Sequence, residues 1–101
     1  MADKVVSLSE AARLISDGAT LGTVGAVDCA PVTLFKELIR QQRTGLHAIH
    51  VPSGGWAADL LIGGGVTATV ETGAVTQGEA GSAPNFRRAT QGGEIHALDS
   101  T

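Results

Sequence analysis

Residues 20–31, TLGTVGAVDCAP, limit the possible folds of this chain most strongly, because a strand-like apolar run ends in glycine just before a proline-started helical pattern. A strand that turns directly into a helix is typical of α/β proteins. Gly25 permits this turn without a Cβ clash, and the unpaired N–H groups of the next helical turn can bind an anion. Any strand–helix unit favours glycine here, so the segment fits a structural turn as well as a binding site.

The same alternation continues along the chain. Ser7 and Glu10 have capping-box spacing and predict a first helix that ends at Gly18. A second helix starts at Pro31, with Leu34, Phe35, Leu38 and Ile39 on its apolar face and Lys36, Glu37, Arg40 and Gln41 on its solvent side. Further helices are predicted at 56–62 and 83–90, and strands at 19–25, 46–51, 66–75 and 94–98. This pattern predicts an open parallel sheet with right-handed crossovers and helices on both faces.

Sheets of this kind bind ligands outside the carboxyl ends of their strands. The loops that follow the first three predicted strands should therefore lie along one edge and form any site. They contain the glycine turn at Gly25, then Ser53, Gly54 and Gly55, and finally residues 77–82 with Glu79. Glu79 is the best placed carboxylate, ahead of Asp59 and Glu71, although a solvated loop glutamate has the same pattern. Arg87 and Arg88 point about 100° apart on a helix, so at most one can face this edge.

Composition favours one cytoplasmic domain spanning residues 1–101. Three aromatic residues and 14 glycines predict a thin aliphatic core, which a second chain would help to cover. The single cysteine excludes an internal disulfide, and a net charge of −3 without a basic run argues against a nucleic-acid surface. No apolar run approaches the roughly 20 residues of a membrane span, and no signal-peptide pattern is present.

Spacing also argues against several common chemistries. His47 and His50 are three residues apart in a predicted strand, so they point to opposite faces and cannot share a metal. Cys29 has no histidine near it in sequence, which favours a turn-filling residue over a nucleophile. The chain contains neither a Walker pattern nor the G-x-G-x-x-G spacing of dinucleotide sites. We therefore predict no metal and no permanently bound cofactor.

A series of segments in one order and spacing covers nearly the whole chain. They are Asp17-Gly18-Ala19-Thr20-Leu21, the glycine turn followed by Pro31, residues 35–40, Asp59-Leu60-Leu61-Ile62-Gly63, Ala83-Pro84-Asn85-Phe86-Arg87-Arg88-Ala89 and Gly93-Glu94-Ile95. Together they resemble the α subunit of family I coenzyme A transferases, especially the glutaconate coenzyme A-transferase type. Subunits of that family continue well beyond Thr101, so the resemblance is to an N-terminal half, and we expect a truncated coenzyme A-transferase-like fold.

The resemblance implies a hetero-oligomeric enzyme that moves coenzyme A between carboxylic acids. In that family a glutamate of the partner β subunit attacks the acyl thioester, and a glutamyl thioester then carries the coenzyme A. This chain would thus contain no nucleophile, and its substrates would be a coenzyme A thioester and a carboxylic acid. Gly25 would supply the oxyanion contact, with Gly22, Val24 and Ala26 around it. The position of their loops at the sheet edge adds Ser53, Gly54, Gly55 and Glu79 as further substrate-binding residues.

The glycine turn departs from the family pattern. The usual Gly-Gly-Phe reads Val24-Gly25-Ala26 here, which removes the first glycine and the aromatic side chain. Some pairs in the same family use water as the acceptor and hydrolyse coenzyme A thioesters or open cyclic ones, and this change makes that activity the first alternative. A non-catalytic interaction module that keeps the sheet without the chemistry is the second.

Overall fold

The computed structural model describes residues 5–24, 30–51, 54–75 and 83–99. Helices and strands alternate along these ranges. The helices are α1 (Leu8–Arg13), α2 (Val32–Arg40), α3 (Trp56–Gly63) and α4 (Pro84–Gln91), and the strands are β1 (Thr20–Val24), β2 (Leu46–Val51), β3 (Thr67–Thr72) and β4 (His96–Asp99). These strands form one sheet in the order β1-β2-β3-β4, and every neighbouring pair is parallel. The predicted α/β fold with an open parallel sheet is confirmed.

The predicted helix starts are confirmed, whereas α1 ends at Arg13 and not at the predicted Gly18. The Ser7 hydroxyl accepts the Glu10 N–H at 3.2 Å and caps α1. Pro31 immediately precedes α2, and the apolar face of that helix buries Phe35 and Leu38 completely. No helix among the described residues is long and apolar enough to cross a membrane.

The described helices form a single layer on one face of the sheet. Leu46 and Ala48 of β2 are buried in one cluster with residues of α1, α2 and α3, and Val70 of β3 packs with residues of α3 and α4. Along this layer each helix contacts the next one in the chain. Consecutive strands joined by right-handed crossovers place every connecting helix on the same side. We expected helices on both faces of the sheet, but the described helices cover only one face.

The second face of the sheet carries His47, Ile49 and Val51 of β2, which alternate with the buried residues. His47 Nε2 lies 3.0 Å from Glu71 Oε1 on β3. Val24, which pairs with Val51 in register, is 48% exposed, and Val51 itself is 55% exposed. Apolar side chains therefore remain accessible on this face of the described sheet.

Glu37 does not lie on the solvent side of α2 as the helical pattern predicts. Glu37 is buried, and its carboxylate accepts hydrogen bonds from Arg40 of the same helix and, at 2.8 Å, from Gln41. These hydrogen bonds, first from Arg40 and then from Gln41, lower the pKa of Glu37 to about 2. The Gln41 amide also donates to the Ser9 carbonyl at 3.1 Å. Glu37 is therefore a paired charge, and Gln41 connects it to α1.

Candidate functional site

The carboxyl ends of β1, β2 and β3 lie at one edge of the sheet. Val24 ends β1 directly beside Val51, which ends β2. Beyond the regular strands, Gly54 and Val75 form one more parallel bridge, and the Gly54 N–H donates to the Ala74 carbonyl at 2.7 Å. The described ends of the second and third candidate loops are thus joined at this edge, as expected for a site built by these loops.

Four of the predicted site residues, Gly25, Ala26, Ser53 and Glu79, lie outside the described residues, and so does Cys29. Gly22 lies in the middle of β1 opposite Ile49, and a Cβ added to it would meet no atom within 4 Å. Val24 is the last residue of β1 and is half exposed at the edge. Both therefore belong to the strand that leads into the glycine turn.

Gly54 and Gly55 shape the edge where β2 leads into α3. A Cβ added to Gly54 would lie 2.8 Å from the Ala58 Cβ and 3.3 Å from Val75 Cγ2, so only glycine fits this close approach without a shift. Gly55 occupies the N-cap position of α3, and its carbonyl accepts the Asp59 N–H at 3.2 Å. Because the Gly54 N–H is already bonded to Ala74, it is not free to bind an anion. Gly54 therefore acts at this edge as a close-packing residue.

We expect Gly54→Ala to lower the free energy of unfolding by about 1–3 kcal/mol, because the added methyl group must displace Ala58 or Val75. Gly22→Ala is the matched control, since its methyl group enters open space on a strand, and it should cause no loss. Urea unfolding of the two variants tests this. Equal stabilities would mean that Gly54 is not a close-packing position.

His47 and His50 point to opposite faces of the sheet, as the strand period predicts. His50 is 1% exposed, its Nδ1 lies 3.1 Å from Thr23 Oγ1, and the Phe35 ring packs edge-on against it at 6.0 Å between centroids. Its buried Nε2 has no hydrogen-bond partner among the described residues. Burial lowers the pKa of His50, so the imidazole is neutral at pH 7. Thr23 and His50 are register partners on neighbouring strands. The spacing of residues within either strand does not predict this contact.

Protonation of His50 should destabilise the fold as the pH falls. Below about pH 6.5 the unfolded chain binds a proton at this imidazole that the native chain does not, so unfolding takes up protons and stability decreases. We expect His50→Gln to remove part of the stability loss between pH 7.5 and 5.5, while His47→Gln, on the other face, keeps it. Urea titrations across this range measure the effect. Identical pH profiles for wild type and His50→Gln would contradict it.

Asp59 of α3 caps the N-terminus of α4. The carboxylate is 3% exposed and accepts the Phe86 N–H at 2.7 Å, the Asn85 N–H at 3.3 Å and the Asn85 side-chain amide at 3.0 Å. The two backbone donors are N–H groups that the helix itself cannot satisfy. The sequence analysis singled out Asp59 as a carboxylate of interest. Its contacts give it a structural role in holding α3 and α4 together.

The other charged residues that the sequence analysis singled out each have a partner or face solvent. Glu71 pairs with His47 on the second sheet face. Arg88 donates to the Asn85 side-chain oxygen at 2.8 Å, and Arg87 is exposed. Within the described ranges no group of three or more His, Cys, Asp or Glu side chains could hold a metal ion.

No protein-family model matches the chain, and no curated protein matches it. Among solved structures, a cysteine-to-serine variant of the decarboxylase AibA/AibB is similar to it, with a TM-score of 0.82 and 35% sequence identity over 95% of this chain. The alignment covers 38% of that structure's chain, so this chain spans less than two fifths of its length. The similarity supports the coenzyme A-transferase-like fold that the sequence resemblance implies.

Proposed function

We propose that this chain is an α-subunit-like component of a coenzyme A transferase, which moves coenzyme A between carboxylic acids together with a β-like subunit. The observation that carries the proposal is the similarity to AibA/AibB along nearly the whole chain, in addition to the ordered segments that resemble the transferase α subunit. The two-part name of that decarboxylase is consistent with an enzyme that needs a partner chain.

Three of the described carboxylates are already used within the fold. Asp59 is used in capping α4, Glu71 is paired with His47, and Glu37 is paired with Arg40 of the same helix. A carboxylate that attacks a thioester must be accessible and free to form an anhydride. None of these three meets that condition, and the family resemblance assigns the covalent step to a glutamate of the β-like subunit. Glu79 would then contact substrate without forming the covalent intermediate.

The proposed contribution of this chain is the oxyanion contact. Val24 ends β1 at the carboxyl edge of the sheet. The N–H groups of residues 24–26 would face the thioester carbonyl there. Such a donor is worth about 3–4 kcal/mol of transition-state stabilisation in other enzymes. The joined ends at Gly54 and Val75 would form the neighbouring wall of this site.

Decarboxylation of a coenzyme A thioester is the second candidate, because the similar solved structure is that of a decarboxylase. The absence of the family's first glycine and aromatic residue at Val24 and Ala26 also fits a site modified for a reaction other than transfer. Such an enzyme would keep the thioester intact and release carbon dioxide, so the products distinguish the two functions.

The test is to produce the chain with a β-like subunit from the same genome and to incubate the complex with two thioesters, each with and without acetate. One is a monocarboxylic acyl-coenzyme A, and the other has an acyl group with a second carboxylate that can leave as carbon dioxide. A new thioester that forms only with acetate supports the transferase. Free coenzyme A without acetate would instead indicate a hydrolase, and carbon dioxide a decarboxylase. An unchanged thioester under every condition would support the alternative of a non-catalytic interaction module.

Gly25→Val should reduce turnover of this complex far more than it reduces stability. The β-branched side chain would fill the space beside the turn and displace the oxyanion donor, an effect on the order of 100-fold in rate, while the strain costs about 1 kcal/mol or slightly more. Steady-state rates and urea unfolding of the same preparation give both quantities, with Thr20→Ser, at the exposed opposite end of β1, as the control. Wild-type turnover by Gly25→Val would place the loop outside the site.

A further inference from the structure

A polar pair joins β1 to β2 one residue before the carboxyl edge of the sheet. Thr23 Oγ1 lies 3.1 Å from Nδ1 of its register partner His50, whose side chain is buried under the helices. The other inward side chains of β2, Leu46 and Ala48, are apolar and fully buried. Replacing both partners of a buried hydrogen bond by apolar groups of the same shape can be nearly neutral for stability. Folding alone therefore does not account for a polar pair at this position.

Among the described residues, this pair is the last inward contact between the two strands before the glycine turn. Val24 comes next in β1, is half exposed, and is the residue at which the described pairing of β1 ends. Gly25 follows it directly, so a single residue separates the turn from Thr23. β1 is the terminal strand of the described sheet, where its backbone partner is β2. A bond from Thr23 to β2 therefore restrains the backbone that enters the turn.

His50 is the firmly held member of the pair. Its strand has neighbours on both sides, β1 and β3, and the Phe35 ring packs edge-on against the imidazole. The ring therefore presents Nδ1 at a fixed place. The restraint is the same whether the Thr23 hydroxyl donates to Nδ1 or Nδ1 donates to the hydroxyl.

We propose that His50 is a positioning residue of the site, which holds the end of β1 through Thr23 and thereby keeps the backbone donor at Gly25 in place. The inference rests on the proposed function and adds a residue to its machinery. A functional group must be held within about 0.5 Å of its productive position, and a misplacement of about 1 Å can cost on the order of 100-fold in rate. His50 acts without touching the reacting atoms, so its effect must pass through the Thr23 hydroxyl.

Amide hydrogen exchange at Gly25, measured by NMR on the purified chain, tests the restraint without any need for activity. Thr23→Val and His50→Leu each remove the hydrogen bond, and we expect both to speed exchange of the Gly25 N–H about fivefold or more. Thr23→Ser keeps the hydroxyl and should restore slow exchange. Thr67→Val is the matched control, because Thr67 is buried at the amino end of β3 and its hydroxyl has no partner among the described residues. Equal Gly25 exchange in Thr23→Val and Thr67→Val would overturn the proposal.

Steady-state kinetics of the complex with the β-like subunit give the second measurement. Thr23→Val should lower kcat about tenfold or more and leave KM within about twofold, because the oxyanion contact forms in the transition state. His50→Leu should have the same effect, and the double variant should lose no more than either single variant, since both remove one contact. Thr67→Val should keep the kcat of wild type. Wild-type kcat for either single variant, or a double variant whose loss is the product of the two, would overturn the positioning role.

The two measurements separate this inference from the proposed function. Faster Gly25 exchange in both variants, with no transferase activity of the wild-type complex, would refute the proposed function alone. An active complex whose kcat and Gly25 exchange are unchanged by Thr23→Val and His50→Leu would refute the role of His50 alone.

Discussion

Replacing Asp59 with alanine should lower the free energy of unfolding by about 2–4 kcal/mol. The substitution removes a buried charged acceptor of three hydrogen bonds and leaves the Asn85 and Phe86 N–H groups without their partner. Asp59→Asn keeps the shape and one acceptor oxygen, but its amide group would meet the Asn85 donor, so we expect a smaller loss of about 1–2 kcal/mol. Urea unfolding measures both variants.

Glu94→Ala is the control for this experiment. Glu94 is an exposed acidic residue just beyond α4, and its replacement should change stability by less than about 0.5 kcal/mol. Amide hydrogen exchange gives a second measurement, since the Asn85 and Phe86 N–H groups should exchange faster in Asp59→Ala. Stability of Asp59→Ala within about 0.5 kcal/mol of wild type, with unchanged exchange at Phe86, would contradict the capping role.

This contact also explains part of the sequence resemblance. Asp59 opens one of the segments that resemble the transferase α subunit, and Asn85 and Phe86 lie in another, about 26 residues further along the chain. The structure joins the two segments through hydrogen bonds. These residues therefore carry information about the fold, and the evidence for activity depends on the glycine turn and the partner.

Local patterns were sufficient to predict most elements of the fold. The predicted bounds of β2, 46–51, are confirmed, and its residues alternate between buried and accessible because one face of that strand packs against helices. Ser7 and Pro31 marked the starts of α1 and α2 through capping and a preset φ. β3 is shorter than the predicted 66–75, since the pairing becomes a single bridge near Val75.

Features that depend on contacts between distant segments could not be predicted in this way. Periodicity does not specify the order of strands in the sheet, and the order β1-β2-β3-β4 is what places the helices in one layer. The Gln41 amide that donates to Glu37 also reaches Ser9 on another helix, and the Thr23–His50 contact requires the register of two strands. The candidate site was predicted as an edge by topology, whereas the packing role of Gly54 depends on its approach to Ala58.

The second large effect should be the dependence of this chain on a partner. Val24 and Val51 are about half exposed at the carboxyl edge, and so is Trp56, the first residue of α3. A β-like subunit that covers such apolar surface would stabilise the fold by mass action, by about 2.7 kcal/mol at a hundred times its dissociation constant. For a domain of this size that corresponds to a rise in Tm of roughly 10–20 °C.

Val51→Ser provides a variant for the interface, because the side chain is exposed and its replacement should leave the isolated fold nearly unchanged. It should reduce the rise in Tm at a given partner concentration. Thr33→Ser, at an exposed position of α2, is the control and should leave that rise as in wild type. Equal partner-induced rises for both variants would place the interface elsewhere.

Acyl exchange measured during titration of the β-like subunit into the purified chain tests the central claim most directly. The assay follows transfer of coenzyme A from an acyl thioester to a free carboxylic acid, together with Tm, at each partner concentration. We predict no exchange by the chain alone, and activity and Tm that rise together and saturate at the same partner concentration. Exchange by the chain alone, or a stable monomer that neither binds the partner nor gains Tm from it, would contradict the account.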